Sequence, residues 1–466
     1  MKRRTSTGTR ACTPRLRVEV GGEPLVSTAG AVLLTEAARA TGVDRALSAG
    51  LARWRRPRAR HDPGRVLLHL ATSIATGGDC LADIGVLRAQ PDLFGVVASD
   101  PTVSRLVDTL AGDVEDALAA VRAARAAART ASWAHRRPVG PGPVVIDIDG
   151  SLVVAHSDKQ SATPTFKQTF GFHPLLAFVD HGAGGSGGGG EVLAAVLRPG
   201  NANANNSADH IAVLDLALAQ LPEADRARVL VRADSGGATK AFLHHVVGLG
   251  LQYSVGFTAH DPVEQAVRVL PTAAWTAAYD ADEQPRDGAQ VAELTGLLPD
   301  LTGRGWPPGM RVIARRERPH PGAQLRQTDP QGWRITVFAT NTRGPGPGCQ
   351  LADLELRHRR RARAEDRIRT LKDSGLRNLP LHDFAQNQIW VETVLLASDL
   401  LTWTATLGLV EHRRAEPRRL RLRLLHVAAR VVRTGRRVLL RLPRSWPWAG
   451  EIAAAHARLL ALPAPG

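Results

Sequence analysis

The stretch Val144-Val145-Ile146-Asp147-Ile148-Asp149-Gly150-Ser151 decides how the rest of the chain is read. Its β-branched residues interrupted by acids, and the Gly-Ser pair that follows, predict a short strand running into a turn. Two apart on a strand, Asp147 and Asp149 leave the same face, and Asp149 sits where the strand gives way. Further strands are predicted over Phe172 to Val179 and Val192 to Leu197, with the Gly184 to Gly190 run between them a loop without chemistry of its own. A helix from Ser207 to Leu221 comes next, then a strand from Val229 to Arg232 ending at Asp234. A helix from Thr239 to Leu249 and a strand from Tyr253 to Phe257 complete the series. Three strands before the first helix argue against a purely alternating doubly wound sheet. They predict a mixed α/β sheet in which hairpins precede crossovers.

On the amino-terminal side, apolar residues at helical spacing from Thr28 to Arg129 predict an all-helical region. Within it Ser99-Asp100-Pro101 has the form of a capped helix start, which could open the second helix of a helix-turn-helix. Pro138 to Pro143 reads as a linker. On the carboxyl-terminal side, residues 259–345 are rich in turn signals, with strands expected over Arg311 to Arg315 and Trp333 to Ala339. A charged helix is expected from Ala352 to Lys372, ended by Gly375 and Pro380. An apolar helix then spans Ile389 to Leu407, and a basic, helical tail follows. The resulting division is 1–137, 138–258, 259–345, 346–410 and 411–466.

The 466 residues carry 60 Lys+Arg against 44 Asp+Glu, a formal charge of +16. Such a balance favours a polyanionic partner over a small metabolite, although the near absence of lysine among the cations fits a GC-rich coding bias equally well. Cys12, Cys80 and Cys349 lie too far apart in sequence for a disulfide framework or a metal knuckle. No export signal is read in Met1 to Arg10, and the apolar run Val391 to Val410 is broken by Asp399, Thr402 and Thr404. A cytoplasmic, nucleoid-associated protein without membrane contact is expected.

Acids at apolar strand ends need water, a cation or hydrogen-bond donors around them. For Asp149 and Asp234 the residues alone leave two readings open, turn capping and metal ligation. On the charged helix His358, Arg361, Glu365 and Lys372 are spaced 3, 4 and 7 apart, which places them along one stripe, and the spacing is also that of a solvated face. If the three acids converge, their hard oxygen ligands suit two Mg²⁺ or Mn²⁺ ions that grip a phosphate.

With those residues in view, five segments resemble bacterial insertion-sequence transposases of the DDE type. They are VIDIDGSLVVAHSDK (145–159), TFKQTFGFHPLLAFVDHG (165–182), LRPGNANANNSADHI (197–211), VLVRADSGGATKAFL (229–243) and RARAEDRIRTLKDSGLRNLP (361–380). The resemblance is to the family numbered thirteen-eighty, in the group with a Y-x2-R-x3-E-x6-K signature. It implies a ribonuclease-H-like catalytic domain holding two divalent ions, with Asp149, Asp234 and Glu365 as the catalytic acids. Arg361 and Lys372 become the signature's basic residues, and His358 stands where the signature has Tyr, a ring that could pack on DNA. Asp147 is the competitor for first acid. The resemblance further implies a β-rich insertion at 259–345, where Trp306 or Trp333 could hold a flipped base or could simply be core. The implied substrate is double-stranded DNA, both terminal inverted repeats and target, handled by a dimer or larger assembly, with the N-terminal helices and basic tail on the element's ends.

Two rivals remain at this level. Val145 to Val153 also resembles the Asp-x-Asp-Gly-Thr strand of haloacid-dehalogenase phosphatases, in which Asp147 would be the nucleophile. The other is a catalytically inactive DNA-binding protein of transposase descent.

Overall fold

A computed structural model describes residues 25–136, 140, 142–182, 189–258, 261–319, 332–344, 346, 348–435, 437–463 and 465. Cys12, the basic start Met1 to Arg10, half of the Pro138 to Pro143 linker and most of the Gly184 to Gly190 loop lie outside the described residues.

The N-terminal region is helical as expected: α1 (Val32–Thr41), α2 (Val43–Gly50), α3 (Pro63–Ala75), α4 (Asp100–Ala111) and α5 (Val114–His135). Asp62 caps α3 by accepting from the Arg65 N–H, with Pro63 in the first turn. The helix opening at Ser99-Asp100-Pro101 is α4, whose Val103, Val107 and Leu110 are buried.

Next come β1 (Val144–Gly150), β2 (Leu175–Asp180), β3 (Glu191–Val196), α6 (Ser207–Ala219), β4 (Val229–Ala233), α7 (Lys240–Gly248) and β5 (Gln252–Gly256). The 259–345 segment supplies α8 (Asp261–Val269), β6 (Thr276–Tyr279), β7 (Pro285–Glu293), β8 (Arg311–Glu317) and β9 (Arg334–Thr340). All nine strands form one sheet in the order β6-β7-β8-β9-β5-β4-β1-β2-β3. β1 is parallel to β4, and β4 to β5, whereas β1-β2, β2-β3 and β5-β9 are antiparallel. The insertion is therefore an extension of the main sheet through the β9-β5 pairing. A second, small sheet of Val153–Val154, Thr163–Pro164 and Phe170–Phe172 stands in the β1-β2 connection.

Period-two patterning divides β1 between two cores. Val144, Ile146 and Ile148 pack with α6 and α7 residues such as Leu214 and Phe242, and the opposite face carries Asp147 and Asp149. On that opposite side of the sheet, Leu176 and Phe178 of β2 join a core made with the N-terminal helices and α11 (Phe384–Trp403). The charged helix is less regular than its spacing predicts. It is α9 (Leu351–Arg359), a tight turn at 360–362, then α10 (Arg363–Leu371), and it ends as expected at Gly375, whose φ of +102° suits glycine.

The tail corrects the helical expectation. Among the described residues only α12 (Ala449–Ala461) is a long helix there, and β10 (Ala429–Thr434) and β11 (Arg437–Arg441) form a hairpin that pairs with Leu25–Val26. The physical reason is visible in Val431-Val432 and Val438-Leu439-Leu440 on either side of a glycine with φ +46°. Their β preference and tight turn outweigh the arginines that suggested a solvated helix.

Candidate active site

β1 and β4 run in register, Ile148 opposite Ala233. The next residues, Asp149 and Asp234, consequently stand side by side where both strands end. Each acid also caps its own turn: the Gly150 N–H donates to Asp149 Oδ1 and the Gly236 N–H to Asp234 Oδ1, both at 2.9 Å. Turn capping and a ligand role are thus compatible, because one carboxylate oxygen suffices for the cap. The other oxygen of Asp149 faces Arg361 Nη1 at 3.5 Å.

Glu365 lies in the first turn of α10, is exposed, and makes no hydrogen bond or ion pair among the described residues. Its charge nevertheless reaches Asp149. Burial raises the Asp149 carboxyl, Arg361 pulls it down, and Asp234 and Glu365 push it up again, leaving it at about 6. Asp149, Asp234, Glu365 and Arg361 are therefore electrostatic neighbours, although the three acids are not in direct contact. Among the described residues the one trio of ligand-type side chains with donor atoms within 4.8 Å of one another is Asp79, Cys80 and Asp83. That trio is a capping arrangement, with Asp83 accepting from the Asp79 and Cys80 N–H groups at 2.8 and 3.1 Å.

Asp147 has a different environment. It is fully buried, gripped by Arg232 through Nε–Oδ1 at 2.6 Å and Nη2–Oδ2 at 2.8 Å, and by Arg367 Nη1 at 2.8 Å. Asp180 completes the cluster, accepting from Arg232 and Arg367 at 2.7 Å each. Burial alone would raise Asp180, but the two guanidinium groups hold it down at about 2. Asp147, the competitor for first acid and the nucleophile of the phosphatase reading, is therefore engaged as an ion-pair partner of Arg232 and Arg367. A nucleophile needs an open approach, and both oxygens of Asp147 are occupied in the interior. The cluster serves the site indirectly. Asp147 is two residues before Asp149, Arg232 two before Asp234, and Arg367 two after Glu365, so one ionic knot joins all three elements.

A family model for the Transposase DDE domain group 1 matches residues 9–464. The chain belongs to that family. The solved structures with similarity to this DDE-domain chain include a piggyBac transposase synaptic complex with hairpin DNA, seen by cryo-EM. It is 9% identical over 85% of this chain and 79% of that one, with a TM-score of 0.40. No curated protein matches. Among the described residues, no helix is long and apolar enough to cross a membrane.

The remaining expected residues of this DDE-domain chain divide sharply. Lys372 Nζ donates to the Leu152 carbonyl at 2.9 Å, which ties the end of α10 to the turn that follows Asp149. His358, expected to pack on DNA, is instead stacked face to face on Phe338, with centroids 4.6 Å apart and planes 6° apart, and its Nδ1 meets Ser254 Oγ at 3.0 Å. Burial and the nearby arginines lower it to about 3. Trp306 packs edge-on against Phe257 at 5.3 Å, with Lys240 Nζ 5.8 Å from its centroid. Trp333 lies 4.9 Å from Arg316, whose guanidinium also covers Trp275 at 4.3 Å. Neither tryptophan contacts an acid of the site.

His173, within residues 165–182, is a further residue beside the candidate site that the sequence motifs do not single out. Its Nε2 is 2.7 Å from where a Cβ on Gly150 would stand, and the Asp234 charge acts on it. The signal available was the Asp149-Gly150 pair itself, since a glycine beside an acid marks a close approach. Gly150→Ala would drive a methyl group into the His173 ring and displace the turn that aims Asp149. We expect a folded protein with an unchanged thermal midpoint within a few degrees and DNA cleavage reduced by about tenfold or more, measured on duplexes carrying the DNA that brackets the gene.

Proposed function

We propose that the protein is a DNA transposase that cuts and joins DNA at the terminal inverted repeats of an insertion sequence, through a triad of Asp149, Asp234 and Glu365. The observation that carries this reading is the register that sets Asp149 and Asp234 at neighbouring strand ends, with Glu365 on α10 near enough for its charge to act on Asp149. The order β3-β2-β1-β4-β5 supports a ribonuclease-H-like catalytic core. Three hard carboxylates, one of them paired with Arg361, fit Mg²⁺ or Mn²⁺, two ions in all. When bound, such ions supply a nucleophilic water or 3′-hydroxyl and stabilise the leaving 3′-oxygen. The protein's own groups hold the reactants. Arg361 neutralises Asp149 and offers a fork to a phosphate, and Lys372 fixes the turn after Asp149.

Binding of double-stranded DNA, both ends and target, is supported by the charge of +16 and by a cleft of about 290 Å³ between the start of α3 and α4. Arg55, Arg56, Arg60 and Arg105 line it and pair with no carboxylate among the described residues. A dimer or higher assembly on DNA, in a nucleoid setting, belongs to the same reading.

The test uses duplexes carrying the DNA that brackets the gene, with Mg²⁺, Mn²⁺, Ca²⁺ or chelator. Cutting that leaves 3′-hydroxyl ends only with Mg²⁺ or Mn²⁺, and that disappears in Asp149→Asn, Asp234→Asn and Glu365→Gln while DNA binding persists, supports the triad. Undiminished cutting in any of the three removes that residue from it. Binding without any metal-dependent cutting by the unaltered protein would favour the inactive descendant.

A further inference from the structure

Phe166 is the most exposed large apolar side chain among the described residues, at 70%. An isolated exposed phenyl needs no explanation by itself. Its mounting does. It sits at the tip of the turn between Thr163–Pro164 and Phe170–Phe172, and that turn is braced from within. The Thr165 N–H donates to the Thr169 carbonyl at 2.7 Å, the Gln168 N–H to the Thr165 carbonyl at 3.0 Å, and the two threonine hydroxyls meet at 2.7 Å. Gln168 is held at φ +58°, a conformation that L side chains adopt at a cost. The ring is thus presented on a rigid tip.

The tip also leans on the candidate active site. Phe166 packs against His173 with centroids 5.7 Å apart, and His173 is the residue whose Nε2 adjoins Gly150 next to Asp149. Lys167 Nζ is 5.8 Å from the Phe166 centroid, and its charge reaches Lys372. An apolar ring, two cations and the acids therefore share one neighbourhood. An apolar peptide would be served by the ring but repelled by the lysines' need for solvent or anions. A nucleic-acid strand satisfies both, because every base has a π-face and every linkage a phosphate.

We propose that Phe166 is a stacking platform for an unpaired nucleobase of the DNA strand lying beside Asp149, with Lys167 on the adjoining phosphate. This rests on the reading of Asp149, Asp234 and Glu365 as the place where DNA is cut. The stacking is indifferent to base identity, so it can be tested without knowing the element's ends.

The probe is a duplex with a two-nucleotide unpaired 3′ tail containing 2-aminopurine, compared with the blunt duplex, in Ca²⁺ and with the full-length protein. The unaltered protein should bind the tailed duplex more tightly and change the 2-aminopurine emission. Phe166→Ala should weaken tailed-duplex binding by about tenfold or more, the scale of base–aromatic stacking, and abolish the emission change while leaving blunt-duplex binding intact. Phe166→Trp should restore both, and Lys167→Ala should lower the salt dependence of binding by about one phosphate contact. Val269→Ala, an equally exposed apolar residue elsewhere, should change nothing. Equal affinities of Phe166→Ala and the unaltered protein for the tailed duplex, equal losses on both duplexes, or an altered oligomeric state with unaltered tail binding would each overturn the proposal. Failure of the triad is separately visible, since Asp149→Asn would then still cut the bracketing DNA whatever the tail does.

Discussion

Asp149→Asn and Asp147→Asn are expected to fail in opposite ways, although the two residues leave the same face of one strand. Asp149 is only partly buried, and the hydrogen bonds around it are confined to its own turn. Asparagine is nearly isosteric and retains an oxygen for the Gly150 N–H, so the urea midpoint should stay within about 1 kcal/mol of the unaltered protein's. With Asp149 in the proposed triad, cleavage should fall on the order of a thousandfold or more, since an ionised group at the reacting centre would be gone. Asp147→Asn removes the charge that faces both Arg232 and Arg367. Stranding buried guanidinium groups costs about 3–5 kcal/mol, read as a lower urea midpoint. Any lost cleavage should follow the lost folded fraction and return under stabilising conditions. A stable but inactive Asp147→Asn would return the first-acid role to Asp147.

The same contrast shows what a sequence can and cannot disclose about this molecule. The strand pattern of 144–149 and 229–233 was legible because β-branched runs ending in Asp-Gly-Ser and Asp-Ser-Gly are local signals. The register that sets Ile148 beside Ala233 was not, yet it is what makes the two acids neighbours. The partners of Asp147 come from β4 and α10, 85 and 220 residues away in sequence, so the distinction between a buried ion pair and an open acid exists only in three dimensions. Other differences between spacing and structure have the same origin. His358 kept the spacing of a DNA-facing stripe while Phe338, on β9, took its ring face. In the tail, arginine content masked two short valine- and leucine-bearing strands whose partner, Leu25–Val26, lies at the other end of the described chain. Phe166 is invisible for the converse reason: a phenylalanine in sequence reads as core, and only its mounting on a braced turn exposes it.

A loss of stability as large as that of Asp147→Asn is expected at the far edge of the sheet. β3 is an edge strand, and its outward carbonyls are taken by two arginines of α5: Arg125 donates to Leu193 and Val192 at 3.2 Å, and Arg129 to Val192 at 3.0 Å. This closes an edge that would otherwise invite another strand. Both arginines are fully buried and reach acids on two other elements. Arg125 meets Asp399 at 2.7 Å and Glu392 at 2.6 Å, while Arg129 meets Asp399 at 2.6 Å and Glu191 at 2.9 Å. Because α5, α11 and β3 are joined by charges shut away from water, Arg125→Met leaves Asp399 and Glu392 short of a counter-ion and should cost about 3–5 kcal/mol in the urea midpoint. Adding Asp399→Leu removes one stranded charge. The double variant should therefore regain at least about 1 kcal/mol over the sum of the single losses, a coupling measurable in a double-mutant cycle. Purely additive losses would mean that the arginines act chiefly on the β3 carbonyls, and the edge rather than the ion pairs would then hold α5 in place.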